Sequence, residues 1–186
     1  MDAVQLPYRT GAYNNAWANH RLLSACAHLS DAAFAAPRTG FFPSLRATLN
    51  HILLVDLFYI DAIEGGRLGP AVFDDEEPHQ SVAALHAAQA RADRRLIAIT
   101  DDLAAADLAR IVEINRGHHT QKERLDRLLL HLFEHQIHHR GQAHAMLSST
   151  AIKPPQLDEF FSEMDAQVRA PDFAELGWSE AMIWGC

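Results

Sequence analysis

Five of the twelve histidines in this 186-residue chain, His131, His135, His138, His139 and His144, fall between Thr120 and Ser148. A neutral imidazole binds zinc, nickel, copper or iron at physiological pH, so metal ligation is the first chemistry this spacing brings up. The stretch reads TQKERLDRLLLHLFEHQIHHRGQAHAMLS and predicts one long helix. Thr120 followed by Glu123 has the form of a capping box, and Leu125, Leu128, Leu129 and Leu132 recur at helical spacing. On a helix, residues four apart are offset by only about 40° and rise about 6 Å. His135 and His139 therefore project from one face as a two-point clamp. His131 extends that stripe by one turn, Gln142 continues it, and His138 sits to the side.

A helical pair needs a third ligand from elsewhere, and His51 is the candidate. It interrupts LRATLNHILLVDLFYIDAIE, a run apolar nearly all round, where leaving it unsatisfied costs about 1–3 kcal/mol. Three neutral imidazoles leave a divalent ion, zinc or nickel foremost, with an open position where water reaches a pKa of about 7 or a thiol binds as thiolate. No general acid or base is assignable. Glu134 adjoins His135 but points about 100° away from it, and Asp56 is better placed to orient a neighbour than to share an ion. His138 and Gln142 either orient a ligand or are polar members of a crowded helix. His131 lies about 12 Å along the axis from His139 and ranks below the other three.

The elements that must position these residues are helical. Residues 8–29 place Tyr13, Trp17, Leu22, Leu23, Cys26 and Leu29 as the buried side of a first helix, with Ser30 and Asp31 leading out. Asn14, Asn15 and Asn19 within it either face solvent or hydrogen-bond a neighbouring segment. A second helix starts near Pro43 and Ser44 and stops at Gly65 and Gly66. The loop GGRLGPAVFDDEEPHQ leads to a third, from Ser81, whose seam is Val82, Leu85, Ala88, Ala92, Leu96 and Ile99, with His86 off it and exposed. RIVEINRGHH alternates like a short hairpin, with Arg116 and Gly117 at the turn and His118 and His119 at the surface. After the last long helix, Pro154 and Pro155 break the chain. QLDEFFSEMDAQVR then predicts a short helix, stopped by Pro171. The final Trp178, Met182, Ile183 and Trp184 are too apolar to be loose and pack on the bundle or on another subunit. The expectation is an all-α four-helix bundle over about 8–150, with a hairpin before the last long helix and a helical tail over 151–186, all one domain.

Composition removes several classes of partner. Sixteen basic against 24 acidic residues give a formal charge of −8, which repels phosphate backbones and anionic lipid, so no nucleic acid and no membrane are expected. No apolar run reaches the length of a membrane span and the first residues lack a signal architecture, so a cytoplasmic protein is expected. Cys26 and Cys186 supply neither a disulfide framework nor a paired-Cys zinc site.

YNNAWANHRLL at 13–23, TLNHILLVD at 48–56 and HLFEHQIHHRGQAHAML at 131–147, in this order and spacing, resemble the DinB family of metal-binding bundles, unrelated to the DNA polymerase sharing that name. The resemblance implies a divalent metal on His51, His135 and His139. It implies kinship to metal-dependent thiol transferases and isomerases, in which a low-molecular-weight thiol becomes the nucleophile. It also implies a homodimer and a small-molecule substrate of unknown identity. Two other readings remain beside it: a non-catalytic bundle that the ion staples, and a zinc peptidase using the H-x-x-E-H pattern His131-Leu-Phe-Glu-His135. A di-iron bundle needs Glu-x-x-His on two helices, and the match here, Glu76 to His79, falls in a loop.

Overall fold

A computed structural model describes residues 3–185. Four long helices carry the architecture: α1 (Leu6–Cys26), α3 (Leu45–Ile63), α4 (Val82–Asp101) and α5 (Leu125–Leu147). Helix α1 packs on α4 and α5, and α3 packs on the same two, so α1 and α3 stand at opposite corners of the bundle. Ser44 and Ser81 start α3 and α4 in the expected way: each backbone is extended and each hydroxyl accepts the N–H three residues on, from Ala47 and Ala84. Gly65, at φ +82°, supplies the left-handed residue that ends α3. The apolar faces meet in one core that includes Leu22, Leu53, Ile60, Leu85, Leu96, Leu129 and Leu132.

The start of α5 differs from the sequence expectation. Thr120–Arg124 is not its first turn but strand β2, paired antiparallel with β1 (Ile111–Asn115) from Ile111 opposite Arg124 to Asn115 opposite Thr120. Helix α5 begins at Leu125, and its N-cap residue Arg124 makes no side-chain cap. A helix started at Thr120 would leave its first N–H groups unpaired, whereas the ladder satisfies backbone groups of both strands and lets Val112 and Ile114 enter the core. The hairpin expectation was correct for its first strand and turn, and the capping-box pattern concealed the second strand.

Two further differences are local. Ser30 and Asp31 do not merely lead out of α1: Ser30 caps a short helix α2 (Asp31–Ala35), which buries Phe34. In the tail, residues 156–162 are irregular, and the helix comes later, as α6 (Ala166–Leu176), with Pro171 inside it rather than after it. A last turn, α7 (Glu180–Trp184), follows.

The tail packs on its own bundle. Phe160, Phe173 and Ile183 close a second core around Tyr13 and Trp17 of α1. The Arg9 guanidinium donates to the Met182 carbonyl at 2.7 Å and to the Ile183 carbonyl. Arg169, 1% exposed, grips Glu180 at 2.7 and 2.9 Å and the carbonyls of Glu159 and Ser162 at 3.0 and 2.6 Å. Cys26 is buried, and burial pushes its thiol up to about 12, far from a nucleophile's range. Cys186 lies outside the described residues. No helix among the described residues is long and apolar enough to cross a membrane.

Candidate metal centre

Helix α3 brings His51 against the stripe on α5. One ring nitrogen from each of His51, His135 and His139 lies within 4.8 Å of the others, and the Nε2 atoms of His51 and His135 are 3.1 Å apart. Tetrahedral zinc with Zn–N bonds of about 2.0–2.1 Å spaces its ligand nitrogens by about 3.4 Å, so the rings sit at nearly the separation an ion requires. Ring centroids are 4.4 Å apart for His135 and His139 and 4.7 Å for His51 and His139.

Gln142 reaches the cluster through His139. Its Oε1 is 2.9 Å from Nδ1 of His139, which places the His139 proton on Nδ1 and leaves Nε2 as a lone pair. The Gln142 amide nitrogen in turn donates to Nε2 of His138 at 3.0 Å, so exposed His138 acts through Gln142. A partner that fixes the orientation of a ligating imidazole is typically worth about 10–100-fold in metal affinity. Gln142→Leu is expected to lose affinity in that range while the helix stays intact, as read by competition with a chromophoric chelator.

Burial keeps the three rings neutral. Desolvation, with the neighbouring imidazoles adding to it, brings His135 down to about 3 and His51 down to about 4. His139 is lowered as well by burial, partly countered by Gln142. Neutral imidazole is the ligating form, so protons compete with an ion only in strong acid. Three unperturbed histidines would lose roughly 500-fold in affinity between pH 7 and about pH 5.5. This site is expected to lose much less over that range, because His51 and His135 take up protons only near about 4 and about 3, which a zinc titration at stepped pH checks.

An aromatic cover over the cluster was not anticipated. Phe42, from the loop between α2 and α3, lies 4.4 Å from the His51 ring and 5.6 Å from that of His139, and exposed Phe41 stands 6.4 Å from His139. The only sequence signal was a Phe pair in a Gly- and Pro-bounded loop. At the other end of the stripe, His131 is exposed and its Nε2 is 3.3 Å from the Tyr59 hydroxyl. His131 and His135, the pair a zinc peptidase would use, stay 6.5 Å apart ring to ring, and Glu134 is exposed.

Asp56 does not reach the cluster. It is fully buried and accepts from the amides of Gln89, at 2.7 Å, and Gln136. It belongs to a polar core joining all four long helices: Gln89 also donates to Asp93 at 3.1 Å, Asn19 to Asp93 at 3.0 Å, and Arg140 to Asn15 and, at 3.1 Å, to Asn19. Asn15 and Asn19 thus hydrogen-bond neighbouring segments, the second of the two readings their sequence left open. Burial raises the carboxyls of Asp56 and Asp93 and lowers the Arg140 guanidinium to about 10. The remaining histidines lie away from the cluster. His86, expected at the surface, is half-buried, 3.3 Å from His20 in a cleft of about 370 Å³ between α1, α4 and the tail, where Glu175 holds His20 at 3.1 Å. His118 and His119 are exposed beside the hairpin turn.

Fold and site together define a four-helix bundle whose adjacent helices α3 and α5 present three histidines in an arrangement compatible with metal binding. Compared with protein-family models, residues 9–172 match the DinB family, and the chain belongs to it. The crystal structure of a DinB-like protein from Bacillus cereus ATCC 10987 has the same fold, with a TM-score of 0.61 at 16% identity over 77% of this chain and 91% of that one. No curated protein matches the sequence.

Proposed function

We propose that the protein is a metal-dependent enzyme that holds zinc or nickel on His51, His135 and His139 and carries out a thiol-dependent transfer or isomerisation on a small molecule. The observation that supports this most is the convergence of three neutral ring nitrogens from two helices within 4.8 Å. An ion so held supplies an open position at which water or a low-molecular-weight thiol loses its proton. The protein's own part is to keep the imidazoles neutral, to fix His139 through Gln142, and to shield one side with Phe42. A thiol cosubstrate suits action in the cytoplasm, where thiols stay reduced.

A purely stapling ion is the weaker reading, because buried Leu53, Leu129 and Leu132 already join α3 to α5 in the core without one. Chelation is therefore expected to remove activity but not helicity. A homodimer is part of the proposal: Leu130 and Ile137, seven residues apart on α5, and Phe161 remain exposed on the bundle surface. Sedimentation of wild type and Ile137→Glu tests it, with a monomeric variant expected. The decisive test of the function is elemental mass spectrometry of untagged protein, wild type beside His135→Ala, followed by a screen of thiol-dependent transfers. Near-stoichiometric ion lost in the variant supports the reading, and absence from both, even after reconstitution, overturns it.

A further inference from the structure

We propose that Arg116, Tyr59 and His131 form a carboxylate subsite at one end of the histidine stripe, and that the substrate is therefore a short-chain organic acid. The three side chains come from separate elements, the hairpin turn, α3 and α5, and meet in one hydrogen-bonded cluster. Arg116 donates from its terminal nitrogen to the Tyr59 hydroxyl at 3.1 Å and from Nε to the Gln121 side-chain oxygen at 2.9 Å. Its guanidinium lies 4.9 Å from the Phe58 ring centroid. The hydroxyl of Tyr59 is also 3.3 Å from Nε2 of His131.

The support that Arg116 receives from Tyr59 and Gln121 is neutral. Arg46, Arg95 and Arg124 each pair with an acid, Glu77, Glu64 and Asp126 respectively. Arg116 has no ion-pair partner among the described residues, although acids outnumber bases in the chain by 24 to 16. Stacking and two neutral acceptors aim the fork, and its second terminal nitrogen has no protein partner among the described residues. A planar, oriented and uncompensated guanidinium is the donor that matches a carboxylate edge. A phosphate would call for more charge, and the cluster contains no second fixed cation and no helix N-terminus.

The surroundings of the histidine stripe change along its length. Phe42 covers His51 and His139, while the polar cluster begins at His131, whose ring is 6.5 Å from that of His135, about one helical turn away. An acid held at Arg116 would extend a chain of a few carbons toward the triad, with its apolar part facing the phenylalanines. Binding energy gathered at the remote carboxylate then orients the reacting end, which makes Arg116 and Tyr59 positioning residues. The location of that reacting end rests on the metal reading of the triad; the carboxylate end does not.

The test uses succinate and its uncharged analogue succinamide, titrated by calorimetry into metal-free and zinc-loaded full-length protein. Succinate is expected to bind both forms, succinamide neither. Arg116→Gln is expected to weaken succinate at least about tenfold in both forms, with zinc affinity unchanged. Tyr59→Phe, which keeps the ring and loses one hydroxyl, is expected to weaken succinate less, and guards against misfolding of the arginine variant. Succinate binding that both variants leave intact, or equal binding of succinamide, overturns the subsite. Failure of the protein to take up zinc while Arg116-dependent succinate binding persists removes the metal reading and leaves the subsite standing.

Discussion

His135→Ala is expected to lower zinc affinity by more than about 100-fold, beyond the effect of losing an orienting partner. His51→Ala and His139→Ala should do the same, since each removes one of the three nitrogens that converge among the described residues. His131→Ala and His138→Ala should retain most of the affinity: His131 is bonded to Tyr59, and His138, whose ring lies edge-on 4.8 Å from that of His139, has its Nε2 on Gln142 and outside the converging set. Competition with a chromophoric chelator separates the two groups. Retention of full affinity by any triad variant would show that the ion sits elsewhere. The three rings lie against one another, with centroids 4.4–5.1 Å apart, so the three variants should agree.

The second large effect concerns stability. Arg140→Ala is expected to destabilise the protein by about 3–5 kcal/mol, the usual result of removing one member of a buried charged set. The guanidinium is the sole positive charge within a fully buried group that includes Asp56 and Asp93, and it satisfies side-chain oxygens of Asn15, Asn19 and Gln136. Burial raises both carboxyls, with Asp93 adding to the effect on Asp56, and this favours retention of a proton on one of them. Asp56→Asn should therefore cost much less than Arg140→Ala. Urea unfolding at neutral pH measures both, and equal losses would refute this account of the core.

Local periodicity made the bundle and the histidine cluster legible. A pair four apart on a strong helix and a lone histidine in an apolar run are both one-dimensional signals of a shared interior face. Residues 120–124 were misleading because Thr and Glu three apart satisfy a capping box and an alternating strand equally well, and only pairing with Ile111–Asn115 decides between them. Asp56 and Gln89 were opaque for a similar reason: their partners are 80 and 33 residues away in the chain. The Phe42 cover and the Arg116 cluster depend on loops, whose paths follow no period. The tail helix lies later than its sequence pattern predicts because Pro171, which reads as a terminator, sits inside it at the loss of one backbone hydrogen bond.

The tail's grip on α1 also bears on how the chain is made. Tyr13 and Trp17 leave the ribosome well over a hundred residues before their cover, Phe160, Phe173 and Ile183. Helices α1, α3, α4 and α5 can assemble while that aromatic face is still open to water. A nascent chain stalled before residue 160 would thus present Trp17 as a sticky surface during synthesis, and its protection falls to chaperones until the segment carrying Phe160, Phe173 and Ile183 closes over it.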